Sequence, residues 1–240
     1  MTPISVEEGG SLMSVPQQSQ WWGNTNKSSC TTTELAFITP NIATARGFLT
    51  VHECAEIISA MNDAPREPAQ VVRAGESILD QSLRFCFDHH FPDAFKDRIG
   101  ERMARYFGGH RDQFESDADY LYGPYFMSYE RGSYFRAHRD VANHRNDPAR
   151  LAAHRWSLLL YLNGRDEASG LPVFDGGALI LYETAPAVRN RRVVIVPEPG
   201  MLVLFRSALM HEVAILHDGT RYAIAGWMAT STDQAIGAHQ

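Results

Sequence analysis

Apolar and polar positions change rhythm twice along the 240-residue chain. Residues 1–33, MTPISVEEGGSLMSVPQQSQWWGNTNKSSCTTT, are rich in Ser, Thr, Gln, Asn and Gly without sustained periodicity. That profile predicts a flexible tail, with the Trp21-Trp22 pair expected to pack back onto the domain. From Glu34 the pattern tightens. Leu35-Ala36-Phe37-Ile38 reads as a short strand, and Thr50-Val51-His52-Glu53 as a capping box, whose hydroxyl and carboxylate satisfy orphan N–H groups at the start of a helix through about Met61. A second helix is predicted from Phe91-Pro92, because Phe95, Ile99, Met103 and Tyr106-Phe107 recur at three- and four-residue spacing until Gly108-Gly109 stops them.

Beyond Tyr120 the texture becomes β. Apolar runs at Tyr125 to Tyr129, Ser157 to Leu162, Ala178 to Tyr182, Val193 to Val196, Met201 to Phe205 and Tyr222 to Met228 alternate with turn signals such as Asn163-Gly164, Asp175-Gly176-Gly177 and Pro197-Glu198-Pro199-Gly200. Parallel βαβ units need helical crossovers of about a dozen residues, and no interval here is periodic enough to supply one. The expected class is therefore α+β: two N-terminal helices flanking an antiparallel, jelly-roll-like sandwich or barrel rather than a Rossmann fold.

Composition narrows the function. With 44% hydrophobic and 21% charged residues, the chain can bury a full core in one domain, expected over residues 34–240. No apolar run approaches the roughly 18 residues of a spanning helix, and the N-terminus lacks the order of a signal peptide, so membrane and secretory readings fall away. Cys30, Cys54 and Cys86 are odd in number and too scattered for a zinc cluster or redox pair, which points to the reducing cytoplasm. A net charge of -6 argues against nonspecific nucleic-acid binding. Only Lys27 and Lys96 could serve Schiff-base chemistry, so pyridoxal-type reactions are poorly provided for.

Ten histidines invite a metal reading, and chance pairing decides which of them matter. Roughly 0.6 His-x-Asp matches are expected by accident at this composition. The chain has His110-Arg111-Asp112 and His138-Arg139-Asp140. The first follows a Gly-Gly helix stop among polar residues and reads as the accidental one. The second closes the run Tyr129 to Ala137, where residues i and i+2 face one side of a strand, so one imidazole and one carboxylate converge. The best third ligand is His211, after the turn and strand Pro199 to Phe205. Two imidazoles and one carboxylate leave three octahedral positions open, as in the facial triad of non-haem iron oxygenases. A second signal is Arg221, whose same-parity neighbours Ala223 and Ala225 would leave room beside the guanidinium for a planar anion; the rival reading is a structural ion pair. His-Arg-Asp also opens the kinase catalytic loop. The Asn required five residues later is Arg145 here, and no glycine-rich loop precedes it, so the kinase reading fails.

From about Gly47 to Met228 the chain resembles the Fe(II)- and 2-oxoglutarate-dependent dioxygenases, within them the prolyl 4-hydroxylase-like group. The resemblance rests on Phe48-Leu49-Thr50 with Glu53-Cys54, Tyr129-x-x-Gly132 before His138-x-Asp140, Trp156 to Asn163, Gly176-Gly177-Ala178-Leu179, Pro199-Gly200 leading to His211, and Gly219-x-Arg221. It implies a double-stranded β-helix (cupin-like) core and Fe(II) on His138, Asp140 and His211. It further implies 2-oxoglutarate with its distal carboxylate on Arg221 and phenol contacts from Tyr161 and Tyr129, and O2 as the other co-substrate. A carboxylate at Asp140, where related halogenases carry a small residue, implies hydroxylation rather than halogenation.

The substrate expected is a small amino acid or amino-acid-derived molecule; the alternatives are a prolyl or other side chain in a protein and, from another class, a cupin-like metal-binding module without turnover. Residues Arg136 to Arg155 carry five Arg against two Asp, Asp140 and Asp147. With Arg139, Arg145 and Arg150 they are expected at the substrate entrance, favouring an anionic substrate over a merely solvated loop. His144, His154 and His217 are expected to be solvated or to support ligands from behind, and Trp156 and Trp227 to pack. Oligomeric state is not legible.

Overall fold

The structure is a computed structural model that describes residues 33–91, 93–185 and 188–231. The tail expected over 1–33, with Trp21-Trp22 and Cys30, lies outside the described residues apart from Thr33.

Both expected helices are present. Val51–Asp63 starts at Thr50, whose hydroxyl accepts from the Glu53 N–H at 3.1 Å while the Glu53 carboxylate accepts from the Thr50 N–H at 2.8 Å. Asp93–Gly109 follows, and a single further turn, Arg111–Phe114, extends past the glycine stop. Between the two helices the sequence reading placed nothing. The structure places five strands of two or three residues there, Arg66–Pro68, Val71–Arg73, Glu76–Ile78, Arg84–Phe85 and Phe87–His89. Segments that short carry no periodicity of their own: Val71–Arg73 and Glu76–Ile78 pair with each other, Arg66–Pro68 pairs with Phe87–His89, and Arg84–Phe85 and Phe87–His89 are held by strands far along the chain.

Among the described residues the β core comprises two sheets. The major sheet runs, in order, Leu35–Thr39, Ile42–Ala45, Leu202–Arg206, His154–Tyr161, Arg221–Ala229, Tyr120–Tyr129, Phe87–His89 and Arg66–Pro68. The minor sheet runs Val188–Ile195, Leu179–Ala185, Met210–Val213, Tyr134–His138 and Arg84–Phe85. Every pairing is antiparallel, and the two sheets face each other as a jelly roll, the double-stranded β-helix that was expected.

The strand His154–Tyr161 explains why the Trp156 to Leu162 run is almost wholly apolar. Trp156, Leu158 and Leu160 point to the outer face, into a core shared with Ile57, Met61, Met103 and Phe107 of the helices. Leu159 and Tyr161 point inward, against Leu179, Leu181 and Val213 of the minor sheet. A sheet covered on both faces has no solvent side on which to place polar residues. Gly200 lets the chain turn beneath the first helix: its φ is +72°, and a Cβ there would lie 1.9 Å from the Leu49 carbonyl oxygen. Among the described residues no helix is long and apolar enough to cross a membrane.

Candidate metal and co-substrate site

His138 ends the minor-sheet strand Tyr134–His138, and His211 lies on Met210–Val213, opposite it in the antiparallel register. Asp140 follows two residues past His138, its N–H bonded to the Ser207 carbonyl at 3.0 Å. Among the described residues these three form the group of potential metal ligands, one donor atom from each lying within 4.8 Å of the others. His138 Nε2 is 3.4 Å from Asp140 Oδ1, and His211 Nε2 is 3.4 Å from Asp140 Oδ2.

The backbone sets the tautomers. His138 Nδ1 lies 2.8 Å from the Arg136 carbonyl oxygen, and His211 Nδ1 lies 2.9 Å from that of Leu209. A carbonyl only accepts, so each Nδ1 must carry the proton and each Nε2 is turned toward Asp140. Burial pushes His211 down to about 4, against the raising influence of the Asp140 charge. For Asp140, burial works upward, but the facing His211 and His138 outweigh it and hold the carboxyl well below its ordinary range. Near neutral pH the cluster thus offers an ionised carboxylate and a neutral imidazole at His211, the donor forms a divalent cation requires.

Behind the ligands, Ser157 donates its hydroxyl to Asp140 Oδ2 at 2.7 Å, and Ser207 lies 3.0 Å further on. His154 Nδ1 is bonded to the Asp140 carbonyl at 2.8 Å, which gives this histidine the supporting place expected of it. Phe135 stacks on the His138 ring, centroids 3.6 Å apart. His110, set aside in the sequence reading, is bonded through Nδ1 to the Tyr106 carbonyl, away from this cluster.

Between the sheets lies a cavity of about 510 Å³, its mouth included, lined by His138, Asp140, His211, Ser157, Arg221, Tyr129, Trp227, Arg84 and apolar neighbours. Arg221 is fully buried, and its Nε, Nη1 and Nη2 meet no hydrogen-bond partner among the described residues. The expected rival, a structural ion pair, is therefore not what holds it. Its Cζ lies 4.7 Å from the Tyr129 ring centroid and 5.0 Å from that of Tyr161. Aromatic faces compensate a buried guanidinium only in part, so the arrangement suits an anion with a planar carboxylate. Gly177 packs beside the stem of this arginine with φ +58°; a Cβ there would meet Leu216 Cδ1 at 2.6 Å and Arg221 Cδ at an ordinary 3.4 Å. An anion-binding guanidinium and a three-ligand cluster thus share one chamber, which fits Fe(II) and 2-oxoglutarate together.

Three features escaped the sequence reading. Trp227 packs as expected, stacked on His154 with centroids 5.4 Å apart, and what was missed is that it also lines the cavity. Ser157 had a signal: it is the lone polar residue between Trp156 and Leu160, a stretch buried on both faces. Arg84 lines the cavity although nothing in its local sequence marks it. Arg139, Arg145 and Arg150, by contrast, are exposed and do not line it. Their loop is organised from within, the Asn143 and His144 N–H groups both donating to the Asp147 carboxylate at 2.8 Å.

Residues 124–229 match the family described as the 2OG-Fe(II) oxygenase superfamily. The chain carries a 2OG-Fe(II) oxygenase domain and is a 2-oxoglutarate-dependent non-haem iron dioxygenase, a class that uses Fe(II), 2-oxoglutarate and O2. Its fold is that of the prolyl 4-hydroxylase-like group. A prolyl-4-hydroxylase from Pseudomonas putida superposes with a TM-score of 0.59 at 19% identity, covering 79% of this chain and 92% of that one. A prolyl hydroxylase from Trichoplax adhaerens, in complex with a hypoxia inducible factor oxygen degradation domain peptide fragment, gives 0.59 at 20% identity over 82% of this chain and 87% of that one. The viral collagen prolyl hydroxylase of Paramecium Bursaria Chlorella virus-1 gives 0.51 at 15% over 79% and 96%. No curated protein matches the chain.

Proposed function

We propose that residues 34–240 act as one catalytic domain in the cytoplasm, hydroxylating an aliphatic C–H bond of a free amino acid or amino-acid-derived molecule. In this reading His138, Asp140 and His211 hold Fe(II), and Arg221 receives the distal carboxylate of 2-oxoglutarate beside Tyr129 and Tyr161. The observation that carries it is the unpartnered, fully buried Arg221 in the same cavity as the His-Asp-His cluster. Bound iron and co-substrate supply the oxidising chemistry, with succinate and CO2 as co-products. The protein orients them. Ser157 fixes the Asp140 carboxylate, the Nδ1–H bonds of His138 and His211 aim their Nε2 atoms, and the apolar walls exclude water.

A second reading, hydroxylation of a prolyl residue in a polypeptide, is favoured by a different observation. Trp227 in the cavity wall meets Tyr125 edge-on with centroids 5.5 Å apart, and Tyr125, 46% exposed, continues that wall to solvent. An aromatic path of this kind suits an extended proline-containing segment. The exposed Arg139, Arg145 and Arg150 remain, in either reading, candidates for attracting an anionic substrate to the mouth.

One experiment tests both. The protein is supplied with Fe(II), 2-oxoglutarate and O2 and offered free amino acids and proline-containing peptides in parallel, with succinate release and product mass as readouts. Substrate-dependent succinate with a free amino acid gaining one oxygen supports the first reading, and with a peptide the second. No stimulation by any compound, despite tight metal binding, favours a metal-binding module without turnover.

A further inference from the structure

The strand Arg221–Ala229 lies between Tyr120–Tyr129 and His154–Tyr161, but its first residues have a strand partner on one side alone. Arg221 stands opposite Tyr129, whereas the pairing with His154–Tyr161 stops at Tyr161 and Ala223. One main-chain bond continues past that point, from the Leu162 N–H to the Tyr222 carbonyl at 3.0 Å. Beyond it the side chain of Asn163 takes over. Asn163, 0% exposed, accepts the Tyr222 N–H on Oδ1 at 2.8 Å and donates from Nδ2 to the Thr220 carbonyl at 2.7 Å. These two backbone groups flank Arg221 on the side turned away from Tyr129, and a continuing strand would have supplied their acceptor and donor from its main chain. Nδ2 also donates to the Pro172 carbonyl at 2.8 Å, on the approach to the short strand Phe174–Gly176. One orientation of the carboxamide satisfies all three bonds, since a flipped group would set its NH2 against the Tyr222 N–H and its oxygen against two carbonyls.

We propose that Asn163 is a positioning residue for the co-substrate end of the cavity, its carboxamide replacing the absent strand beside Arg221 and holding the Thr220 and Tyr222 peptide groups on either side of that arginine. The inference rests on the reading of Arg221 as the carboxylate-binding group. Arg221 Nε, Nη1 and Nη2 meet no hydrogen-bond partner among the described residues, so no polar contact of its own fixes the guanidinium. Its place is set by its backbone and by the Tyr129 and Tyr161 rings, 4.7 and 5.0 Å from Cζ. Asn163 stands two residues past Tyr161, and the same bonds therefore set Tyr161 and Arg221 relative to each other. A two-bond grip on a carboxylate tolerates displacements of only about 0.5 Å, which makes a fixed backbone worth more here than elsewhere along the strand. Asn163 does not line the cavity and acts only through that backbone.

Two substitutions of similar size test this role. Asn163→Leu removes all three bonds, whereas Asn163→Asp keeps the acceptor for Tyr222 and sets an oxygen against the Thr220 and Pro172 carbonyls. Leu160→Ala, on the same stretch of chain but facing the outer core, lowers stability without touching these bonds and serves as the comparison. Mn(II) affinity and 2-oxoglutarate binding to the Mn(II)-loaded protein are followed by calorimetry, with melting recorded alongside. The expectation is about tenfold weaker 2-oxoglutarate binding in both Asn163 variants, Mn(II) affinity within about threefold of the parent, and parental 2-oxoglutarate binding in Leu160→Ala. Asn163 variants that melt lower yet bind 2-oxoglutarate as the parent does are merely structural, and that result overturns the proposal. A loss no larger than that of Leu160→Ala, or one matched by an equal loss of Mn(II) affinity, overturns it too. In an Arg221→Met background Asn163→Leu should weaken binding no further, because the group it positions is gone; additive losses overturn the proposal. Should both Asn163 variants fail to fold, Asn163→Ala read in the parent and in Arg221→Met carries the same test. Arg221→Met alone separates the two readings. If it binds 2-oxoglutarate as tightly as the parent, the assignment of Arg221 falls and this inference with it; if it loses binding while the Asn163 variants do not, the inference alone falls.

Discussion

His211 stands directly across the minor sheet from His138, the two being cross-strand partners whose ring centroids lie 4.1 Å apart. Opposed residues in an antiparallel pair point to the same face, so the register of these strands brings the imidazoles together with no contribution from a flexible loop. Asp140 then needs only the two-residue step past the strand end to close the cluster.

His138→Ala, Asp140→Ala and His211→Ala should each lower metal affinity and turnover by roughly 100-fold or more, since two remaining ligands no longer fix the open positions. Metal content after dialysis and calorimetric titration with Mn(II) provide the check. His110→Ala should bind as the parent does; loss of metal in that variant with retention in His138→Ala would place the site elsewhere.

Ser157→Ala removes the hydroxyl that Asp140 Oδ2 accepts from at 2.7 Å. Metal affinity should fall about 10-fold, the lower end of what supporting partners of a ligand contribute. Ser157→Thr, which restores the hydroxyl, should recover most of it, and equal affinities in all three proteins would show that Asp140 needs no support.

Arg221→Met should raise the 2-oxoglutarate KM by roughly 10- to 100-fold, the equivalent of a lost charge-assisted contact. Melting without co-substrate should fall little or even rise, because the substitution removes a buried guanidinium with no acidic partner among the described residues. A large loss of stability with an unchanged KM would identify Arg221 as structural.

Metal-free protein should lose stability on mild acidification. His211 sits at about 4 in the fold against an ordinary 6.5, so the unfolded chain takes up its proton first. The sign follows: the contribution is flat above about pH 6.5, and stability falls as pH drops toward 4, by up to about 3 kcal/mol from this residue. Burial also lowers His154 and His89, which adds to the same slope. Urea unfolding between pH 7.5 and 4.5 measures it, and His211→Gln should flatten it; an identical slope would assign the effect to other groups.

Leu160→Ala tests the scaffold apart from the site. Leu160 is fully buried on the outer face of the major sheet, with the core that the helices share. The substitution should cost about 2–5 kcal/mol of stability while leaving metal affinity unchanged at temperatures where the protein stays folded.

The sequence by itself determined whatever is encoded in a few neighbouring residues. The Thr50 and Glu53 box starts a helix because its bonds span three residues, and the i, i+2 rule aims His138 and Asp140 at one point. Arg221 could be assigned to the inner face because alternation along a strand is strictly local. Tertiary structure decided what depends on partners far along the chain. The strands Arg84–Phe85 and Phe87–His89 have no periodicity to read and exist through pairing with Tyr134–His138 and Tyr120–Tyr129, so Arg84 came to the cavity unannounced. The arginine count of residues 136–155 correctly described a cationic loop, yet charge composition carries no direction, and only packing set Arg139, Arg145 and Arg150 outside the chamber. Trp227 shares the parity of Arg221 and could have been read as cavity-facing. That an indole there borders open space in addition to its neighbours His154 and Tyr125 depends on the distance between two sheets, which no stretch of sequence records.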